Sequence, residues 1–257
     1  MSADEFDAIR DLFAPLATSA GARGLLDDAA VLETNGALVV TADAIVEGVH
    51  FLGGDPIDTV AKKALRVNLS DLTAKGAQCV GALLTLIWPY DRPSSQLATF
   101  ARGLGEDLGL FDVPLLGGDT TSTPGPLTVS ITALGAPLGA RIPSRADARV
   151  GEHVWVTGFI GDALLGLRAL GEAPELIGAQ ASDRSGAADI VDAYRVPRPP
   201  VAFAAAIATY ASASTDVSDG LVADAANIAR ASKVALSLHA EAVPLSSAGH
   251  AHALKYG

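Results

Sequence analysis

Residues 55–76 have the sequence DPIDTVAKKALRVNLSDLTAKG, and this stretch decides how the first half of the chain folds. At about 100° per residue its apolar side chains fall on one stripe, so the stretch predicts an amphipathic helix with one buried face. Asp55 is expected as the N-cap and Pro56 as the first helical residue, and the helix can continue to Gly76.

Two polar residues, Asn68 and Asp71, fall inside the apolar stripe, whereas Lys63 and Arg66 are expected on the polar back of the helix. A buried carboxylate is costly unless it meets a cation or several hydrogen-bond donors. Asp71 is therefore either an internal cap or buried salt-bridge partner, or a metal ligand that faces a cleft. The second interpretation is favoured.

Apolar runs bounded by turn residues continue on both sides of this helix. They predict strands at 29–32, 37–40, 45–51, 81–88, 113–116 and 127–134, and a helix at 94–108. After a polar, Pro-containing stretch at 135–151, further strands are expected at 153–157 and 234–238, and helices at 161–170, 201–210 and 221–231. This mixture predicts an α/β (α+β) protein with two domains, residues 1–138 and 139–257.

Composition narrows the possible functions. The 257 residues are 49% hydrophobic and 18% charged, which excludes a disordered or fibrous chain. The net charge of −11 repels nucleic-acid phosphates and anionic lipid, so neither partner is expected. The longest strictly apolar run, 201–208, is too short to cross a bilayer. With one cysteine, Cys79, and no apolar signal segment near Met1, a cytoplasmic location is expected.

Several aspartates lie beside predicted strands and next to small residues. One such aspartate alone is most simply a turn residue, but the strand ends of one sheet converge, so several together suggest an oxygen-only site of the kind that suits Mg²⁺. Gly117 and Gly118 would let backbone N–H groups approach a phosphate closely. The aspartates concerned are Asp28, Asp43, Asp119, Asp216 and Asp219.

Other catalytic patterns are absent from the sequence. It contains no GxxxxGK[ST] phosphate loop, no GxGxxG after a strand, no HExxH and no GxSxG. His50 follows a predicted strand and is either a structural residue or a substrate contact. No side chain is therefore predicted to act as a nucleophile.

The spaced motifs LDDA (26–29), TAD (41–43), VHF (49–51), NLSDLTAKGA (68–77), LGGDTT (116–121), VTG (156–158) and DVSDGL (216–221) occur in this order. In this combination the chain resembles the thiamine-monophosphate kinases, which belong to one superfamily with aminoimidazole-ribonucleotide synthetase and selenophosphate synthetase. The resemblance extends over essentially the whole chain.

The resemblance implies a homodimer paired through the N-terminal sheets, with ATP and Mg²⁺ at the domain cleft and thiamine monophosphate as the phosphoryl acceptor. It implies that ATP meets Gly118, Asp119, Arg145 and Ser218, and that His50 contacts thiamine monophosphate. It also implies oxygen ligands for several Mg²⁺ ions from Asp28, Thr41, Ala42, Asp43, Asp71, Asp119, Asp216 and Asp219.

The chain departs from the family pattern at three places. Leu26 stands where the family usually has Gly before the Asp pair, and Ala42 replaces a Ser or Thr, so only its carbonyl can serve as a ligand there. The chain ends at Gly257, before a GGEDYEL motif and a further region of the family pattern. We therefore expect a C-terminally truncated second domain.

Phosphoryl transfer depends mainly on positioning and charge neutralisation, so a carboxylate-held Mg²⁺ site can support it. A phosphate acceptor is largely ionised at neutral pH and needs no general base, which favours direct in-line transfer. Two alternatives stay open: another ATP-using enzyme of the same superfamily, and a truncated chain that binds nucleotide without turnover.

Overall fold

Four strands form one mixed sheet in the first half of the chain. The computed structural model describes residues 7–26, 29–171 and 184–256. The strands are β1 (Val39–Val46), β2 (Ala77–Pro89), β3 (Leu115–Thr123) and β4 (Thr128–Pro137), in the order β1-β4-β2-β3 across the sheet. Only the pair β2 and β3 is parallel, while β4 runs antiparallel to both β1 and β2.

Two helices cover one face of this sheet. They are α1 (Ile57–Ala74) and α2 (Ser94–Leu110), and α2 provides the crossover that a parallel pair of strands requires. The predicted stripe of α1 is confirmed, because Val60, Ala61, Leu65 and Leu72 are all buried. Together with apolar side chains from α2 and the sheet, most of this stripe forms the main hydrophobic core of the described residues.

The second half is helical in its described residues. Its helices are α3 (Asp162–Gly171), α4 (Arg184–Arg195), α5 (Ala204–Tyr210), α6 (Leu221–Ser232) and α7 (Ser247–Tyr256). Leu165 and Ala169 of α3 pack against Ile190 of α4 in a small second cluster. Gly166 lets the two helices approach closely, because a Cβ there would lie 2.0 Å from the carbonyl oxygen of Ile190.

The element bounds differ from expectation at several places. The strand expected at 29–32 is not formed, and the single strand β1 replaces those expected at 37–40 and 45–51. Two further differences affect the site. Helix α1 begins at Ile57 with Pro56 in the N-cap position, because the Asp55 carboxylate instead accepts hydrogen bonds from the backbone N–H of Leu52 at 2.9 Å and from Arg195 at 2.7 Å. Strand β3 continues to Thr123 rather than ending before residue 117, because the long strand β2 pairs with it along that length. The GGDT segment therefore lies within a strand.

The strands expected at 153–157 and 234–238 are not formed. A strand needs a neighbour for its backbone N–H and C=O groups, and in the described residues neither segment pairs with another. Trp155 is consequently 89% exposed. The domain boundary between residues 138 and 139 stays a prediction. Within the described ranges no helix is both long and apolar enough to span a membrane.

The polar back of α1 also differs from expectation, because the second half of the chain covers it. Arg66 is buried and forms a two-point ion pair with Asp107, with nitrogen–oxygen distances of 2.5 and 2.8 Å. Its remaining terminal nitrogen donates to the carbonyl oxygen of Pro197 at 3.0 Å. A helix whose sequence indicates one buried face therefore has two.

Candidate active site

The C-terminal half of α1 is fastened to β1 by two polar side chains. Asn68 is fully buried, donates to the carbonyl oxygen of Ala64 at 2.9 Å and accepts from the backbone N–H of Asp43 at 3.1 Å. Asp71 is half-buried and accepts a hydrogen bond from the Thr41 hydroxyl at 2.5 Å. Asn68 therefore has a structural role, and Asp71 keeps carboxylate oxygen capacity for a further partner.

The alternation of β1 decides which of its residues face this helix. Asp43 is in register with Ile131 of β4, whose side chain is buried under the helices, so Thr41 and Asp43 lie on the helix-covered face. Ala42 lies on the opposite face and is exposed. Only alternate residues of the TAD motif thus direct their side chains toward Asp71.

Asp216 joins Asp43 and Asp71 from the loop before α6. Burial raises the pKa of Asp216, the negative charge of Asp71 raises it further, and a hydrogen bond with Ser70 opposes the rise. Burial likewise raises the pKa of Asp43, reinforced by Asp71 and opposed by His50. Asp43, Asp71 and Asp216, called the acidic group below, therefore repel one another across the space between β1, α1 and this loop.

Gly118 and Asp119 are neighbours in β3, but they stand in rows that face opposite sides of the sheet. A Cβ on Gly118 would lie 1.7 Å from the carbonyl oxygen of Leu84, so only glycine fits at this position. Asp43 shares a row across the sheet with Leu84 and Gly118, and Asp119 stands in the next row with Thr85. Because neighbouring rows face opposite sides, Asp119 points away from the acidic group of its own chain and is exposed.

The DVSDG loop is held by a residue outside the motif. The buried carboxylate of Asp224 accepts hydrogen bonds from the backbone N–H groups of Ser218, Asp219 and Gly220 at 3.0, 3.1 and 3.2 Å. These bonds form the entry to α6 and leave the side chains of Ser218 and Asp219 exposed. Asp224 therefore fixes the backbone of the loop that carries Asp216.

Two cations lie beside the acidic group. Lys75, directly after α1, donates its ammonium to the carbonyl oxygen of Ser214 at 2.7 Å, and the Ser214 hydroxyl donates to the carbonyl oxygen of Ala74. Arg145 donates through Nε to the Thr215 hydroxyl at 3.0 Å. The C-terminal end of α1 is thus tied to residues 214–216, and positive charge stands next to the acidic group.

His50 lies in the turn after β1, away from these cations. Its Nδ1 accepts a hydrogen bond from the backbone N–H of Val46 at 3.1 Å, so Nε2 carries the proton in the neutral ring. The Lys63 ammonium donates to the His50 carbonyl oxygen at 2.9 Å and lies 3.8 Å from the ring centre of Tyr194. Burial lowers the pKa of Lys63 to about 8. His50 itself is exposed and available to a ligand.

Comparison with known proteins gives a consistent result. Residues 26–136 match the family described as AIR synthase related protein, N-terminal domain. A thiamine-monophosphate kinase of Caulobacter vibrioides is 46% identical over an alignment of 252 residues that covers 96% of this chain and 68% of that protein. The chain belongs to the thiamine-monophosphate kinase family.

Solved structures of the kinase family have the same fold. Thiamine monophosphate kinase from Aquifex aeolicus superimposes with a TM-score of 0.76 at 31% identity, covering 86% of this chain and 72% of that chain. A structure named AaThiL complexed with AMPPCP and TMP gives a TM-score of 0.78 at 31% identity, covering 90% and 72%. The mixed α/β fold expected from the sequence is therefore confirmed.

The acidic group offers oxygen donors, the type of ligand that a hard divalent cation prefers. The charge of Asp71 raises the pKa values of Asp43 and Asp216, and a bound cation would relieve this repulsion. Asp28 lies outside the described residues, and Asp119 is on the other face of the sheet. Within the described ranges no three His, Cys, Asp or Glu side chains are arranged to hold an ion by themselves.

Sequence reasoning missed Lys75 and Asp224, although both had a local signal. Asp224 stands in the first turn of a helix that follows Gly220, a position from which a carboxylate can accept backbone N–H groups. Lys75 is inside the NLSDLTAKGA motif but beyond the last residue of α1, so its direction could not be derived from helical periodicity. Lys75 contacts Ser214, which is distant in the sequence, and Asp224 holds the backbone of the loop before its helix.

Proposed function

We propose that this protein transfers the terminal phosphoryl group of ATP to thiamine monophosphate, which yields ADP and thiamine diphosphate. The observation that carries the proposal is the placement of the acidic group next to Lys75 and Arg145 at one end of α1. A phosphoryl-transfer site needs carboxylates that hold a cation and positive groups that meet phosphate oxygens. The relatives named as thiamine-monophosphate kinases, and the AaThiL complex with AMPPCP, an ATP analogue, support the same assignment.

Mg²⁺ is part of this proposal. When bound, it would supply neutralisation of phosphate charge at the reacting oxygens. The acidic group provides the central donors, and the Thr41 hydroxyl already touches Asp71. The oxygen ligands proposed around this group are Asp28, Thr41, Ala42 through its carbonyl, Asp43, Asp71, Asp216 and Asp219. Asp119, which the family resemblance also implies as a ligand, lies on the other face of the sheet and is not part of this set within one chain.

The residues of this chain would bind and orient the two substrates. Gly118, Asp119, Arg145 and Ser218 are proposed to contact ATP, and His50, with its exposed ring, thiamine monophosphate. The acceptor phosphate is ionised at neutral pH, because its second pKa is about 6. It can therefore attack directly and in line, without a phosphorylated side chain. A cytoplasmic location belongs to the same proposal, since ATP is consumed there.

A homodimer is also proposed, with the sheet face opposite α1 as its interface. Val40 is 59% exposed on this face, and Ala42 and Ala44 of the same strand are exposed beside it. Exposed apolar residues that lie side by side on a sheet face are typical of a contact surface, and a second copy would cover them. Light scattering should give twice the chain mass for the wild type, and Val40→Asp should shift it to the monomer.

The activity is tested by incubating the chain with MgATP and thiamine monophosphate and measuring ADP release and the mass of the product. A thiamine diphosphate peak that appears in step with ADP is the expected result. Thiamine and a ribonucleotide amide are the control acceptors, because turnover with either in place of thiamine monophosphate would assign a different activity. ATP binding with no product from any acceptor would contradict the proposal and favour a binding protein.

A further inference from the structure

An open cavity of about 450 Å³ lies beside the end of α1, and its lining contains two positive charges. Lys75, Ile142, Pro143, Ser144 and Arg145 line it and define what we call the cationic cavity. Pro143 is buried, whereas the side chain of Arg145 is exposed at the mouth. The cavity is therefore accessible to a ligand from solvent.

Most hydrogen-bond donors of these two cations have no partner among the described residues. An ammonium has three N–H donors and a guanidinium five. Among the described residues, Lys75 makes one side-chain hydrogen bond, to Ser214, and Arg145 makes one, to Thr215. Within the same ranges neither side chain forms an ion pair. A hydroxyl from Ser144 adds a further polar group to the lining.

The two positive charges are close enough to affect each other. Burial lowers the pKa of Lys75, and the charge of Arg145 lowers it further. Asp71 and Asp216 oppose this shift without contacting the ammonium as ion-pair partners. An anion in the cavity would relieve the repulsion between the cations and satisfy their remaining donors.

We infer that the cationic cavity binds a phosphate group and that Lys75 is a phosphate-binding residue together with Arg145. The inference rests on the proposed function and adds Lys75 to its binding residues. A phosphate matches the cavity because it carries up to two negative charges on three oxygens, one for each cation. Asp71 and Asp216 are close enough to Lys75 for their charges to act on it, so the proposed phosphate site adjoins the proposed cation site.

The phosphate can belong to the nucleotide or to the acceptor, and calorimetry with separate probes distinguishes them. Inorganic pyrophosphate, ADP and thiamine monophosphate are each titrated with Mg²⁺ into wild type, Lys75→Gln and Lys75→Arg. Lys75→Gln should weaken at least one probe about tenfold or more, and Lys75→Arg should restore much of it, because loss of a charged hydrogen bond has that size. Lys62→Gln is the matched control, since Lys62 is on α1 but pairs with Glu106 at 2.6 Å.

Each pattern of results has one meaning. Weaker pyrophosphate and ADP binding identifies the nucleotide phosphate, and weaker thiamine monophosphate binding alone identifies the acceptor phosphate. Affinities of Lys75→Gln equal to wild type for all three probes overturn the inference, as does the absence of any binding to the wild type. If thiamine monophosphate is not a substrate but Lys75-dependent phosphate binding remains, the proposed function fails and the inference stands.

A second measurement needs no variant and guards against loss of folding in Lys75→Gln. The wild type is labelled with an amine-acylating reagent, and the modification of individual lysines is followed by mass spectrometry. Pyrophosphate or the bound substrate should protect Lys75 and leave Lys62 unchanged. Equal labelling of Lys75 with and without saturating ligand would overturn the inference even if the variants were unstable.

Discussion

Asp71→Asn separates a metal-ligand role of Asp71 from a structural one. Asparagine keeps the volume and one oxygen, so it can still accept the hydrogen bond that the Thr41 hydroxyl donates at 2.5 Å. It removes the negative charge that raises the pKa values of Asp43 and Asp216. The substitution therefore changes the charge of the acidic group and little else.

The expected loss of stability is small, whereas the expected loss of catalytic rate is large. Replacing a charge-assisted hydrogen bond by a neutral one costs about 1 kcal/mol of stability, and the relief of repulsion offsets part of it. The free energy of unfolding should thus stay within about 1 kcal/mol of the wild type. Loss of a ligand for the catalytic cation should remove about 3 kcal/mol of transition-state stabilisation, or roughly 100-fold in rate.

The assay is ADP release with MgATP and thiamine monophosphate, combined with urea unfolding of the same samples. Asp58→Asn serves as the control, because it makes the same change on the same helix about 20 Å away along the axis. Turnover of Asp71→Asn within about threefold of wild type would refute the metal-ligand assignment. A loss of stability much larger than that of Asp58→Asn would instead indicate a buried structural carboxylate.

Three further outcomes are expected. EDTA should abolish tight ATP binding, and Mg²⁺ or Mn²⁺ should restore it, because both ions prefer oxygen ligands. If calorimetry gives equal ATP affinity with and without metal, the acidic group is not a cation site. Gly118→Ala should reduce ATP affinity and lower Tm, because its Cβ would lie 1.7 Å from the Leu84 carbonyl oxygen. An unchanged nucleotide titration and melting curve would argue against this close approach. Arg66→Met should cost about 3–5 kcal/mol in urea unfolding, because it leaves the buried Asp107 unpaired and Pro197 without its donor, whereas a cost below about 1 kcal/mol would mean that the pair is solvated.

Much of the first half could be predicted from local patterns. The apolar stripe of residues 55–76 gave a helix that the structure places at Ile57–Ala74, and the apolar run at 81–88 lies within β2. These elements follow from periodicity because burial on one face is a property of neighbouring residues. The spaced aspartate motifs likewise identified the family, which the relatives confirm.

Where an individual strand begins and ends depends on the strand that pairs with it, and local sequence patterns do not identify that partner. Strand β3 extends to Thr123 because β2 supplies backbone partners along its length, and 153–157 is not a strand because the described residues offer it none. Backbone hydrogen bonding is a pairwise property, so a run of β-branched residues predicts the tendency and its neighbour decides the outcome.

The sequence by itself determined the helix α1, the charge of the chain and the set of aspartates from which a phosphate and metal site can be formed. Only the tertiary structure decided that the charges of Asp43, Asp71 and Asp216 lie close together and that Asp119 lies on the other face of the sheet. It also decided that Lys75 and Arg145 are close enough for their charges to interact. The physical reason is the distance along the chain over which each effect acts. Periodicity and propensity act within a few residues, whereas charges and hydrogen bonds at the site join residues more than a hundred positions apart, and only the packing of helix, sheet and loop brings them together.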